Sequence, residues 1–293
     1  GELKGRAIRL LEDDLGFFPD YAAVLLVRTD LPSAAREALR DLAGVLDEQR
    51  MRELNYRVAI GGESPARVAG DFLRSLALVD SAATPEPGRT ARIAANTLTH
   101  LKLTGIALLA SCLTAIPAAL MVFRVPGLGR ALLYLSGLLQ TIPALALLAL
   151  LIPVFGLGQL PAIIALFLYS LLPIVRNTLT GLFSVDPLLK EVATGMGLSD
   201  SQRLRLVELP LAVPMILAGI KTAAIVSIGT ATLAAFVGAG GLGEPIISGL
   251  NLNNHRLILE GAIPAALLAI AVEFGFEFIE RLAIPAHLRP RGQ

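Results

Sequence analysis

Charged residues set in apolar surroundings are where this sequence has the means to do chemistry. Lys221 stands in one long apolar segment, and Glu273 and Glu277 stand in another. An ion in hydrocarbon is costly, so such groups face a bundle interior or water and commonly pair with one another. Glu273 and Glu277 are one turn apart and share a helix face. Counted at a rise of about 1.5 Å per residue, Lys221 and Glu273 lie at similar depths, roughly 15 Å from the ends of their segments. The spacing predicts a structural ion pair of Lys221 with Glu273 or Glu277, with a solute contact as the alternative. Glu280, next to Arg281, reads as interfacial.

A second polar set lies between two apolar segments. Asp186-Pro187 is a helix start, with a side-chain acceptor at the N-cap and proline at the first helical position. Gly195 and Gly197 end that helix near Thr194. Ser199 with Gln202 spells a capping box for a second helix reaching about Glu208, and Pro210 marks entry to the next apolar segment. Two short helices with a sharp bend make a surface knob, and Glu191 on the first could meet a basic groove of a partner. The same local chemistry also fits an ordinary polar loop. Neither set makes or breaks bonds. No Gly-x-x-x-x-Gly-Lys-Ser/Thr phosphate loop occurs. The run Gly238-Ala-Gly-Gly-Leu-Gly243 follows an apolar segment and ends in Glu244-Pro245, so it reads as a tight turn. No metal site and no cofactor are expected in this chain.

The elements that position these groups follow from composition. The chain is 54% hydrophobic and 17% charged, with mean hydropathy +0.68, which suits a multi-span protein in a lipid bilayer. The net charge of +1 argues against a nucleic-acid partner, and the single Cys112 excludes an intrachain disulfide. The chain starts at Gly1, without Met or a signal peptide, which reads as processing or as a piece of something longer. Five spans are expected, at 98–122, 132–155, 161–183, 211–237 and 257–284. Pro117, Pro143, Pro173 and Pro264 fall inside them, which packed membrane helices tolerate. Arg124 and Arg130, then Lys190, Arg203 and Arg205, then Arg289 and Arg291 mark one side as cytoplasmic. That places the loop at 191–210 and the C-terminus inside and the N-terminal part outside. Arg89, Arg92 and Lys102 pull the other way, so 91–102 is expected to lie along the outer surface as an amphipathic lead-in.

Residues 1–80 are more polar and read as a partial α/β segment. Strand candidates fall at 6–11 and 21–28. Helix candidates run over 33–45, from Asp47 to 54, and from Ser64-Pro65 to about 78. A Pro- and Thr-containing linker at 81–90 separates this segment from the membrane domain at 91–293.

The loop resembles the "EAA" motif of ABC importer permeases. Glu191, Ala193, Gly197, Val207, Leu209 and Pro210 fall in its register, with Val192 in place of one alanine. The resemblance implies that these residues dock into a cytoplasmic ATPase, which holds ATP and Mg, and that a second permease subunit, identical or not, completes the pathway. It implies an all-α polytopic domain of the type I importer fold in a bacterial or archaeal cytoplasmic membrane. Gln140-Thr-Ile-Pro143, Leu172-Pro-Ile-Val-Arg-Asn-Thr178 and the stretch Ala234–Gly243 are similar to the osmoprotectant branch, which imports glycine betaine, choline and carnitine. Methionine-type permeases share the glycine turn and are the alternative within the class. A membrane-anchored solute receptor without transport is the alternative outside it. Leu11–Tyr21 and Met51–Tyr56 resemble the closing part of the matching extracytoplasmic substrate-binding protein. That family holds quaternary ammonium ions in an aromatic cage, which would make Tyr21 one cage wall. As a partial lobe, this segment is expected to be a remnant that does not bind ligand by itself.

Overall fold

The computed structural model describes residues 25, 27, 30–79 and 88–283. Tyr21, the strand candidate at 6–11 and most of that at 21–28 lie outside the described residues. Contacts divide the chain into two units, Gly1–Pro87 and Gly88–Gln293.

The described part of the first unit is three helices: α1 (Ser33–Arg40), α2 (Glu48–Ala59) and α3 (Pro65–Ser75). Local chemistry sets their starts. The Asp47 carboxylate accepts from the Arg50 N–H at 2.7 Å, and the Ser64 hydroxyl accepts from the Arg67 N–H at 3.2 Å, with Pro65 opening α3. Their ends come sooner than the apolar spacing implies. α1 stops at Arg40 and turns follow to 45, and α3 stops at Ser75. Arg57 fastens α2 to α3. Its guanidinium donates to both Glu63 oxygens at 2.8 and 2.6 Å and to Asp71 at 2.7 Å. These hydrogen bonds hold the Glu63 and Asp71 carboxyls below their usual range and raise Arg57 further.

The second unit is a helical bundle. It comprises α4 (Arg89–Val122), α5 (Pro126–Thr141), α6 (Ala144–Phe155), α7 (Gln159–Phe183), α8 (Pro187–Gly195), α9 (Asp200–Arg203), α10 (Leu209–Ala231), α11 (Gly243–Asn251) and α12 (His255–Ala283). A π-turn (Leu204–Glu208) links α9 to α10, and a 3₁₀ turn (Thr232–Val237) extends α10. α7 is the most buried of the long helices and α12 the least. Two apolar clusters stack along α7. One gathers Leu103, Leu147, Leu166 and Val237, and the other Phe123, Ile174, Leu182 and Ile216. α7 and α10 approach closely through glycines. A Cβ on Gly219 would stand 2.7 Å from Asn177 Cβ, and one on Gly181 2.9 Å from Met215 Cβ. Small residues let backbones meet where no hydrophobic force separates protein from lipid.

Three expectations are corrected. The segment 91–102 is not a separate surface lead-in. It is continuous with α4, a helix of 34 residues, and His100 within it is fully buried. The span at 132–155 is two helices bent by 93°, with Pro143 at the break rather than inside a helix. Ile142, before the proline, is extended, as the ring of a following proline favours. The Tyr169 hydroxyl donates to its freed carbonyl, and Gln140 Nε2 donates to the Tyr169 carbonyl at 2.7 Å. Among the described residues four helices are therefore long and apolar enough to cross a membrane alone, and the bent pair makes up to five. Finally, the second loop helix is not a separate short element, because α9, the π-turn and α10 run on without a break.

Candidate functional site

The loop at 186–210 is built by caps. The Asp186 carboxylate accepts from the Leu188 N–H at 2.8 Å and starts α8. At the far end the Leu198 N–H donates to the Ala193 carbonyl and the Gly197 N–H to the Thr194 carbonyl, the paired bonds of a Schellman stop. Gly197 has φ +85°, which glycine alone adopts without strain. The chain reverses at once into the capping box. Gln202 N–H donates to Ser199 Oγ at 3.3 Å and Ser199 N–H to Gln202 Oε1 at 2.8 Å. Pro210 then enters α10 with no amide hydrogen to offer, and its ring crowds the preceding turn. The wider π-turn at Leu204–Glu208 makes room for it.

The structure separates the sequence-marked residues by exposure. Glu191 and Gly197 are exposed, and Ala193 is buried against the root of the loop. Val207 and Leu209 are half-buried, and Pro210 is exposed. Leu188, Val192 and Met196 recur every fourth residue and form an apolar stripe on α8, with Met196 75% exposed. That stripe, with Glu191 beside it, is the surface the knob presents.

Behind the knob lies a group the sequence reading did not foresee. The Glu208 side chain is 1% exposed. Its Oε1 accepts from Arg203 Nε at 3.0 Å, and its Oε2 is 3.6 Å from Arg124 Nη2 and makes no hydrogen bond. Asp200 ties both arginines, at 3.1 Å to Arg203 and 3.2 Å to Arg124. Arg203 also donates to Thr194 Oγ1 at 3.1 Å, and Arg124 to the Asp200 carbonyl at 2.8 Å.

Within the bundle, Lys221 Nζ is 3.0 Å from Glu273 Oε1 and 4.0 Å from Glu280 Oε1. Glu277 adds its charge nearby but forms no ion pair with Lys221 among the described residues. Glu280 is thus drawn to the same lysine rather than left to the interface. At the opposite end of the bundle the buried Glu260 of α12 takes Arg92 at 3.0 Å and Arg89 at 3.3 Å. His100 lies between α4 and the glycine turn. Its Nε2–H donates to the Ile228 carbonyl at 3.0 Å, and its Nδ1 accepts from the Leu242 N–H at 3.4 Å. A Cβ on Gly241 would come 3.3 Å from His100 Nδ1, so the small residues of the turn serve this close approach. Neither group carried a local sequence signal, because every partner lies far off in the chain. Among the described residues no set of three or more His, Cys, Asp or Glu side chains is placed to hold a metal.

The comparisons agree with this geometry. Residues 107–286 match the family described as binding-protein-dependent transport system inner membrane component. Residues 2–75 match the substrate binding domain of ABC-type glycine betaine transport system. The choline transport system permease protein OpuBB of Bacillus subtilis is 43% identical over 194 residues, 66% of this chain and 89% of that protein. The glycine betaine/carnitine/choline transport system permease protein OpuCB of the same organism is 43% identical over 190 residues, 65% of this chain and 88% of that protein. The osmoprotectant import permease protein OsmW of Salmonella typhimurium is 40% identical over 202 residues, 67% of this chain and 94% of that protein. Among solved structures, an inward facing conformation of the MetNI methionine ABC transporter is similar in fold, with TM-score 0.60 and 23% identity over 69% of this chain and all of that one. From its helical bundle and its matched length, this chain belongs to the binding-protein-dependent transport system inner membrane components, the permease subunits of ABC importers.

Proposed function

We propose that this permease subunit imports osmoprotectants bearing a quaternary ammonium group, such as glycine betaine, choline or carnitine. The observation that carries the reading is the 43% identity to permeases named for those solutes across about two thirds of the chain. The match of residues 2–75 to a glycine betaine binding domain supports it from a separate part of the sequence.

The loop at 191–210 is the dock for a separate cytoplasmic ATPase, which binds ATP and Mg. The apolar stripe of Leu188, Val192 and Met196 gives the dock area, and exposed Glu191 gives it a charge to orient. A second permease, identical or not, completes the pathway, and an extracytoplasmic binding protein or domain delivers solute. The loop and the C-terminus lie in the cytoplasm and the N-terminal segment outside, by the bias of Lys and Arg along the loops. Closure of the ATPase dimer on ATP moves the α8 knobs and opens the pathway outward, and hydrolysis resets it. Lys221 paired with Glu273, with the charge of Glu277 nearby, holds α10 to α12 as a structural cluster rather than touching solute.

Complementation tests the solute class. In a host stripped of its own osmoprotectant importers, this chain with its ATPase and binding protein restores growth at high salt when betaine, choline or carnitine is supplied. Restoration by methionine, or none by the three ammonium solutes, contradicts the reading.

A further inference from the structure

The geometry points to Glu208 as a positioning residue that couples the docking loop to α4. The inference rests on the permease reading above and names a part of its machinery outside the residues of the docking motif.

Three observations carry it. First, Glu208 is a fully buried carboxylate at the foot of the loop, where burial of an unpaired charge is expensive. It is there because two arginines meet it from two directions. Arg203 comes from α9 and Arg124 from the connection after α4, while Asp200 balances the second positive charge. Two cations and two anions leave the cluster neutral. Second, the π-turn creates the pair. In an α-helix, residues five apart point to different sides, whereas i→i+5 bonding stacks them. The Leu209 N–H donates to the Leu204 carbonyl in that pattern, and Arg203 and Glu208 are spaced by the same five residues. Third, the cluster reaches the knob itself, since Arg203 donates to Thr194 Oγ1 at the end of α8. One carboxylate thus joins α8, the root of α10 and the end of α4. Arg124 also stacks on Phe123, 5.2 Å from the ring centre, and Phe123 belongs to the core with Ile174 and Leu182. A push on α8 therefore arrives at the packed interior by way of Glu208 and Arg124.

Glu208→Gln tests this in the assembled importer. The amide keeps the size and one acceptor for Arg203 but loses the charge that holds Arg124. The expected result is that the ATPase still co-purifies in normal amount and still hydrolyses ATP, while solute moved per ATP falls about tenfold. Arg124→Gln, which cuts the clamp from the other side, is expected to do the same. Loss of the ATPase from the complex, or uptake and hydrolysis falling in proportion, would make Glu208 a residue of docking or folding and overturn the inference. So would an unchanged ratio. A solute-independent readout separates this from the solute reading. Spin labels at Leu128→Cys, an exposed position on α5, in a Cys112→Ser background, with a second label on the other permease where that is not a copy of this chain, report the distance between the two permease subunits. Trapping the ATPase with nucleotide is expected to change that distance in the parent and not in Glu208→Gln. An equal change in both overturns the clamp, whichever solute the importer carries.

Discussion

The charged clusters around Glu208 and around Lys221 are built on different plans. Around Glu208, two arginines meet two carboxylates, and the central carboxylate is 1% exposed. Around Lys221, one cation meets Glu273, Glu280 and, at longer range, Glu277, and the Lys221 and Glu273 side chains are 23% and 40% exposed. The neutral set encloses its central carboxylate, whose lost hydration is replaced by its partners, while Arg203, Arg124 and Asp200 stay 21%, 34% and 73% exposed. The set around Lys221 encloses no member, and Lys221, Glu273 and Glu280 each stay partly exposed. The first is a joint built round one buried carboxylate, and the second is a partly exposed tie between α10 and α12.

The difference predicts how each breaks. Glu208→Leu leaves Arg203 and Arg124, 21% and 34% exposed, with only the exposed Asp200 to pair with, and costs about 3 kcal/mol, the low end for removing one partner of a buried pair. The expected outcome is a sharply lower melting temperature and yield of folded permease in detergent. A melt within a degree of the parent would show that the cluster carries no stability. Lys221→Met has a smaller effect, about 2 kcal/mol, because the orphaned carboxylates reach water. Exchanging the charges, Lys221→Glu with Glu273→Lys, is expected to restore expression lost in each single variant. Failure of the exchange would mean that Lys221 and Glu273 do not hold each other.

The smallest effect belongs to the network of Arg57 with Glu63 and Asp71, which lies at the surface of the first unit. Arg57 lowers both carboxyls from their reference values of 4.5 and 3.8. Groups whose folded values are depressed stabilise fully above their unfolded values and lose that stability as pH falls through the folded ones. Hydrogen exchange of residues 48–75 in the full chain should be flat from pH 8 to 5, after correction for intrinsic rates, and lose protection below about pH 4. Loss of protection between pH 8 and 6 would contradict this assignment.

What the sequence showed and what it hid follow from the range of the interactions. The caps at Asp186, Ser199 and Gln202 and the stop at Gly197 were legible, since each acts within a few residues. Lys221 and Glu273 could be matched by counting depth along two spans. The continuity of α9 with α10 was hidden, because Pro210 suggests a boundary unless a wider turn absorbs it. Pro143 looked like Pro117, yet of the two only Pro143 breaks its helix, where the Tyr169 hydroxyl satisfies the opened Ile142 carbonyl. The cluster at Glu208 was hidden, because Arg124 comes from another part of the chain and Arg203, five residues away, would point elsewhere on a plain α-helix.

The central claim is that this chain is the membrane half of an ATP-driven importer for quaternary ammonium osmoprotectants. Its most direct test is uptake of labelled glycine betaine, choline and carnitine into vesicles holding the permease, its ATPase and a full-length binding protein. Accumulation that requires ATP, and that unlabelled members of the set compete away, is the predicted result. Accumulation without ATP, or ATP-driven uptake that none of the three solutes competes with, would contradict it.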